Sequence, residues 1–225
     1  AANNTAVGYI ALGANTTGTG NSALGKGSLA ANTTASYNTG IGENTLLANT
    51  TGASNTAVGN TALTANTTGA QNTAVGTSAG VALTTGGSNV AVGFEALKNE
   101  DAHGLNTAIG TQALFAQNAG ANAYNVGVGF QAGAAITTGT VNTLIGGLSG
   151  DALTVGNSNV AVGYGSLTTD TKGDRNVAIG VSALETQNFT TSTDSFNTAV
   201  GYTAGQSITT GVSNTIIGGA AGDAL

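Results

Sequence analysis

The sequence contains no cysteine, proline, methionine or tryptophan, and only 6% of its 225 residues are charged. Without cysteine, neither a disulfide framework nor a thiolate metal site can form. The four Lys and Arg residues are scattered, which excludes a basic nucleic-acid-binding surface. The sequence has no run of about 18 apolar residues, so it predicts no membrane-spanning helix. Because 40% of the residues are hydrophobic and the net charge is only −6, the composition also argues against disorder.

A tandem repeat fills the chain instead. Asn, a small or β-branched residue, a residue that is usually Ala or Gly, an aliphatic residue and Gly recur thirteen times, mostly 17 residues apart. We number repeat positions from the Asn, which falls at Asn4, Asn21, Asn38, Asn55, Asn72, Asn89, Asn106, Asn125, Asn142, Asn159, Asn176, Asn197 and Asn214. No linker interrupts the repeats, so we expect residues 1–225 to be a single repeat domain and a fragment of a longer fibre.

Two repeat positions vary together. Position 9 is Leu in eight repeats and Gly in five, and in each Gly repeat position 12 becomes Leu or Ile. The pairs are Gly80 with Leu83, Gly133 with Ile136, Gly150 with Leu153, Gly205 with Ile208 and Gly222 with Leu225. A void or an overpacked interior costs about 1–3 kcal/mol. The exchange therefore predicts that positions 9 and 12 fill one fixed interior volume.

The repeat predicts an all-β fold. Gly and Asn recur every five to seven residues and disfavour helices, whereas Thr, Val and Ile favour strands. Short strands at a fixed period below 20 residues are typical of a parallel β-solenoid, a β-roll or β-helix, here with thirteen coils of about 17 residues. We expect position 4 (Val, Ile or Leu) to face the interior as an aliphatic stack. We expect the invariant Gly at position 5 to form a corner with positive φ or close backbone approach, and the position-1 Asn residues to form a structural ladder.

The distribution of charge predicts self-association. No charged residue occupies positions 1–5, 8 or 9 in any repeat. In a strand, positions 2 and 4 point to one face and positions 1, 3 and 5 to the other, and a solvated face would sometimes carry charge. We therefore expect both strand faces to be buried, one of them against a partner chain in a parallel homotrimer. A monomeric rod or another lateral assembly is the alternative.

No catalytic site, metal site or cofactor is predicted, and the chain is not expected to be an enzyme. The single histidine, His103, lies in a charged stretch that we interpret as a solvated corner, with a ligand or acid–base role as the alternative. Without a second His or a Cys, this chain alone cannot supply a Ser-His-Asp or Cys-His arrangement. Two insertions, 117–124 and 187–196, are expected to bulge outward as loops. Their candidate surface contacts are Tyr124, Phe189 and Phe196.

The segment Asn-Thr-Ala-Val-Gly-Asn-Thr-Ala-Leu-Thr-Ala-Asn-Thr-Thr-Gly-Ala-Gln at 55–71 resembles a known repeat. It is similar to the 17-residue repeats of phage tail-fibre-like and bacterial surface fibre proteins, which often carry an endosialidase-type chaperone domain. More distantly, it resembles the β-roll heads of trimeric autotransporter adhesins. The resemblance covers essentially the whole chain and implies trimeric, extracellular, non-catalytic fibre shafts.

The expected function is a structural shaft of an extracellular appendage, a virion tail fibre or a bacterial surface adhesin, that projects a binding tip for host or surface attachment. Its expected partners are further copies of itself, with a host cell-surface glycan or protein contacted through another domain. The alternative is an ice-binding β-solenoid with Thr ladders, since Thr occupies position 2 in eight repeats. A polysaccharide lyase is less favoured, because the small interior residues leave no acidic cleft.

Overall fold

The three residues that follow each repeated Asn form a short strand. The computed structural model describes residues 2–223, and no helix occurs among them; accordingly, no helix there is long and apolar enough to cross a membrane. The strands β1 to β15 are Thr5–Val7, Ser22–Leu24, Thr39–Ile41, Thr56–Val58, Thr73–Val75, Val90–Val92, Thr107–Ile109, Val126–Val128, Thr143–Ile145, Val160–Val162, Gly173–Asp174, Val177–Ile179, Thr193–Asp194, Thr198–Val200 and Thr215–Ile217.

The strands stack in parallel within two compact units, residues 1–109 and 110–225. In the first unit, β1 to β7 pair in chain order, each residue with the residue 17 positions later. In the second unit, β8, β9, β10, β12, β14 and β15 also pair in chain order, 17 residues apart except between β12 and β14, where the insertion makes the offset 21. The strands β11 and β13 pair separately. The predicted parallel β-solenoid is confirmed, with the strands of seven coils in the first unit and those of six in the second.

In every coil after the first, position 3 rather than position 4 is buried in the interior. The position-3 residues Ala57 and Ala161 are fully buried. By contrast, the position-4 side chains of Ile41 and Val75 are 40% and 37% exposed. The prediction of an interior aliphatic stack at position 4 is therefore wrong. The strand alternates faces as expected, but the small residue points inward because the interior is already filled by a large side chain from position 9.

Position 9 supplies that interior side chain from a left-handed backbone conformation. Leu63 is fully buried and has a φ of 51°. Gly80 keeps the same conformation, with a φ of 56°, but a Cβ built on it would lie 2.9 Å from Cδ1 of Leu83. Leu83 thus occupies the space next to position 9 that a side chain there would need. The predicted sharing of one volume by positions 9 and 12 is confirmed for this pair.

The other Gly coils show the same packing. A Cβ would lie 3.0, 2.9 and 3.4 Å from the terminal methyl carbon of the position-12 residue at Gly133, Gly150 and Gly205, respectively. The fifth predicted partner, Leu225, lies outside the described residues. The exchange between positions 9 and 12 is therefore general among the described coils.

Consecutive Gly coils contain one more large side chain. Leu144 and Ile216 replace the usual Ala or Gly at position 3, each in the second of two consecutive Gly coils. Both are buried. A Cβ on Gly133 would lie 2.7 Å from Cδ1 of Leu144, and one on Gly205 would lie 3.0 Å from Cδ1 of Ile216. These two exceptions at position 3 therefore fill the volume that two missing leucines would otherwise leave.

The corner after each strand requires glycine. Gly59 at position 5 has a φ of 125°, and a Cβ there would lie 2.6 Å from the carbonyl carbon and oxygen of Gly76 in the next coil. Such a separation is far below van der Waals contact. Both predicted reasons for the invariant glycine, positive φ and close backbone approach, are confirmed.

The position-1 asparagines hydrogen-bond both along the stack and within their own coils. The Oδ1 atom of Asn55 accepts from the backbone N–H of Asn72 in the next coil, at 2.9 Å. Its Nδ2 atom donates to the carbonyl of Gly69 in its own coil, at 2.8 Å. In the second unit the amides also bond one another, as Asn159 Nδ2 does to Asn142 Oδ1 at 3.1 Å. Because these side chains are buried, each asparagine satisfies backbone groups that water cannot reach.

A second buried asparagine column lies at position 12. The Nδ2 atom of Asn49 donates to Oδ1 of Asn32 at 3.0 Å, and that of Asn66 donates to Oδ1 of Asn49 at 2.8 Å. The column ends where the next coil carries Leu83. Among residues 2–223, the Oδ1 atom of Asn66 has no hydrogen-bond partner. The change from a Leu coil to a Gly coil thus leaves one buried acceptor unsatisfied.

Asp170 replaces asparagine at position 12 of a later coil and is fully buried. Its Oδ1 atom accepts from the backbone N–H groups of Lys172, Gly173 and Phe189 at 3.0–3.2 Å. Its Oδ2 atom accepts from Nε2 of Gln187 at 2.6 Å. Four donors therefore stabilise this buried carboxylate, which needs no cationic partner.

Candidate interaction surface

The outward face of the strands is an exposed apolar surface. We call the side chains at positions 2 and 4 of the stacked strands the outward strip. In the first unit its position-4 members include Leu24, Ile41 and Ile109, and in the second Ile145 and Ile217, all of them exposed. Position 2 is Thr, Ser or Val and is exposed or half-buried. Since stacked strands lie ~4.8 Å apart, each position forms a straight column of like side chains.

The outward strip carries no charge in any of the thirteen coils. A strand face that remains in water normally carries polar or charged residues, and contiguous exposed apolar surface commonly marks a binding surface. Among the residues described, these side chains are left exposed or half-buried. The strip is thus the main candidate for an interaction surface in each unit.

Position 6, just beyond the glycine corner, differs between the two units. In the first unit it includes the exposed rings of Tyr9 and Phe94, which are five coils apart, together with Lys26 and Glu43, whose Nζ and Oε1 atoms lie 3.2 Å apart in an exposed ion pair. Such exposed pairs contribute little to stability. In the second unit it is uncharged and holds Phe130, Tyr164 and Tyr202. We call these three residues the aromatic row; their exposed fractions are 54%, 59% and 66%.

Only two of the three aromatic residues predicted as surface contacts in the insertions are exposed. Tyr124 and Phe196 are exposed, whereas Phe189 is 7% exposed and therefore buried. The candidate surface contact at Phe189 is corrected accordingly: its backbone N–H donates to the buried Oδ1 of Asp170, which draws the residue inward. Phe196 lies under the guanidinium of Arg175, with 5.6 Å between the guanidinium carbon and the ring centroid.

The second insertion also forms the small additional sheet. Within 187–196, β13 pairs with β11 of the preceding coil. The Oδ2 atom of Asp174 accepts from Oγ of Ser192 at 2.8 Å, and Arg175 forms an ion pair with Asp194. These contacts hold the insertion against the preceding coil, so the loop is folded back onto the solenoid.

The position-13 threonines use their hydroxyl groups within the stack. The Oγ1 atoms of Thr33, Thr50 and Thr67 each donate to the backbone carbonyl 17 residues later, at 3.1 Å. The following threonines at position 14, such as Thr51, are exposed. In these three coils the position-13 hydroxyl is thus used within the stack, and the position-14 side chain faces solvent.

His103 lies near two carboxylates. One candidate ligand atom each from Glu100, Asp101 and His103 lie within 4.8 Å of one another, and these residues could hold a divalent cation. Glu100 is fully buried, and its Oε1 atom accepts from the backbone N–H of His103 at 3.2 Å and lies 3.8 Å from Nδ1 of the imidazole. The interpretation of His103 as a solvated corner is only partly correct, since its side chain is 30% exposed.

Comparisons with known proteins give no relative. No family model matches the chain, no curated protein matches it, and no solved structure matches it.

Proposed function

We propose that this chain is a shaft segment of an extracellular fibre and that copies of it associate laterally through the outward strip. The observation that supports this function is the charge-free aliphatic column that is repeated in every coil and left exposed or half-buried. A shaft of this kind serves to hold a binding tip at a distance from a virion or cell. Its role is structural support and adhesion, and no residue is assigned a catalytic role.

The energy available from the outward strip grows with the number of coils. Burying the exposed part of one Val or Ile side chain contributes about 1 kcal/mol. Seven coils in the first unit would thus contribute several kcal/mol before the cost of association is subtracted. A single coil could not hold two chains together, whereas a repeated column can.

The repeat also favours association with a second copy of this chain. Columns of identical spacing, ~4.8 Å per coil, stay in register along their length only when the partner has the same rise. A second copy of this chain meets that requirement. In the parallel trimer that we propose, closed symmetry around one axis covers each strip and leaves none free to recruit further chains.

The test of the proposal is the oligomeric state of the full chain in solution. Analytical ultracentrifugation of the wild type is expected to show a trimer. Ile41→Glu/Val75→Glu places two charges in the strip and should release monomers. Thr51→Glu is the matched control, because it adds a charge at an exposed position outside the strip. A wild type that stays monomeric at all concentrations, or a strip variant that remains trimeric, would exclude this interface.

Ice binding is a second candidate, favoured by one observation. In the first unit, hydroxyl side chains of Thr5, Ser22, Thr39, Thr56 and Thr73 follow one another at position 2 in register with the aliphatic column at position 4. Such an array could order water. A thermal-hysteresis measurement on the wild type tests this function, and the absence of any freezing-point hysteresis would remove it.

A further inference from the structure

The aromatic row is a series of exposed rings at the same repeat position of alternate coils. Phe130, Tyr164 and Tyr202 occupy position 6 of the first, third and fifth coils of the second unit. The coils between them carry Gly147 and Val181 at this position. A Cβ on Gly147 would lie 3.4 and 3.7 Å from two ring carbons of Tyr164, so this ring lies over the glycine. Because glycine has no side chain, the Tyr164 ring packs directly on the backbone of Gly147, and more than half of the tyrosine surface stays exposed to water.

The spacing of the rings is set by the solenoid. Two coils span ~10 Å, at ~4.8 Å per strand. In an extended β-1,4-linked hexopyranose chain, successive sugars are turned over, so every second sugar presents the same face. The distance between equivalent sugars is the length of one disaccharide, which is close to this two-coil spacing. Three rings two coils apart can therefore contact three equivalent sugars without bending the polymer.

The surroundings of the aromatic row suit an uncharged sugar. The faces of aromatic rings are electron-rich and attract the weakly positive axial C–H groups of a pyranose. Positions 6 and 7 of the second unit carry no charged residue, and position 7 places Gln131, Ser182 and Thr203 beside the row as hydrogen-bonding groups for hydroxyls. The net charge of −6 disfavours anionic glycans. Charge and chemistry thus agree on a neutral polysaccharide.

We propose that the aromatic row binds a neutral, extended β-1,4-linked polysaccharide such as cellulose, chitin or mannan, one ring to every second sugar. The binding surface belongs to the second unit alone and follows the glycine corner, after the strand has ended. This binding does not require lateral association of chains. The polysaccharide would be bound by the shaft itself and not by a separate tip domain.

The experiment measures adsorption of the full chain to insoluble polysaccharides. The wild type is expected to be depleted from solution by cellulose, chitin or mannan but not by an insoluble α-linked glucan. Tyr164→Ala and Tyr202→Ala should each weaken adsorption about 3- to 10-fold, by loss of one stacked ring. Tyr124→Ala removes an exposed tyrosine outside the row and should leave adsorption unchanged.

A ring-moving variant tests the spacing itself. Tyr164→Val/Val181→Tyr keeps three aromatic residues in the column but shifts one of them by a single coil, and it should lose as much affinity as Tyr164→Ala. No adsorption of the wild type, equal adsorption to the α-linked glucan, or full adsorption by the ring-moving variant would each overturn the proposal. Ultracentrifugation of the same samples separates the two proposals, since a monomer that still adsorbs overturns only the lateral association.

Discussion

Exchanging the residues at positions 9 and 12 of one coil tests whether they share a single interior volume. The coil that begins at Asn72 is suitable because the coils on both sides carry Leu at position 9. Gly80→Leu/Leu83→Asn would convert it to the neighbouring type. The new asparagine would stand where its Nδ2 atom can donate to Oδ1 of Asn66, the buried acceptor that has no partner among residues 2–223.

The single substitutions should each be costly. Leu83→Asn removes a fully buried leucine and leaves a cavity beside Gly80, at a cost of about 3 kcal/mol. Gly80→Leu puts a side chain where a Cβ alone would lie 2.9 Å from Leu83 and 3.1 Å from Leu63. Overpacking and the left-handed backbone together should make the loss of stability caused by Gly80→Leu about 2–4 kcal/mol.

The double variant should be nearly as stable as the wild type. Filling the volume from position 9 removes the cavity, and satisfying Asn66 offsets about 1 kcal/mol of backbone strain. We expect its stability to lie within about 1 kcal/mol of the wild type, which corresponds to a coupling energy of at least about 3 kcal/mol.

Native-state hydrogen exchange of amides in the coils around Gly80 is the appropriate assay, because a chain with two compact units need not unfold in one step. Denaturant titration gives the global change. Gly80→Leu/Thr85→Asn is the control, since Thr85 is exposed at position 14 and cannot relieve the clash. If the effects of Gly80→Leu and Leu83→Asn simply add, the reasoning about a shared volume is refuted.

Three further predictions concern stability and are measured by denaturant unfolding. Gly59→Ala should cost more than about 3 kcal/mol, because its Cβ would lie 2.6 Å from the next coil's backbone; a loss below 1 kcal/mol would contradict the assigned corner. Asn55→Ala should cost about 3 kcal/mol by leaving two buried backbone groups unpaired, whereas the control Asn60→Ala, at an exposed residue, should change stability by less than about 0.5 kcal/mol. Asp170→Asn should cost about 1–3 kcal/mol, since an amide cannot accept from all four of its donors; an unchanged midpoint would show that this acceptor set is dispensable.

Much of the fold could be predicted from the repeat because its constraints are local and recur thirteen times. The 17-residue period, the strand after each Asn and the glycine corner follow from residue types that each suit one backbone conformation. The exchange between positions 9 and 12 could also be predicted, since a fixed volume shows in the sequence as compensating sizes at Gly80 and Leu83. Leu144 and Ile216 at position 3 are also compensating changes in side-chain size. Their role in filling the interior could be recognised only from the geometry of the coils.

The candidate surface was harder to predict from the sequence. The burial of Phe189 depends on a hydrogen bond to Asp170 from another coil, and a loop residue of that type gives no local sign of it. The sequence shows that Tyr164 and Tyr202 stand at the same repeat position two coils apart. The distance between them follows only from the stacking of the strands, ~4.8 Å apart.

By itself, the sequence determined a parallel stack of short strands with a charge-free segment in each coil. Only the tertiary structure decided which side of that segment faces inward. Alternation along a strand is symmetric, so Ala at position 3 and Val or Ile at position 4 are each compatible with either face. The choice is made across the coil, where Leu63 and its equivalents already fill the interior and leave room for nothing larger than Ala57. The larger aliphatic residues are therefore turned outward, and the surface that we assign to partners consists of side chains the core cannot accommodate.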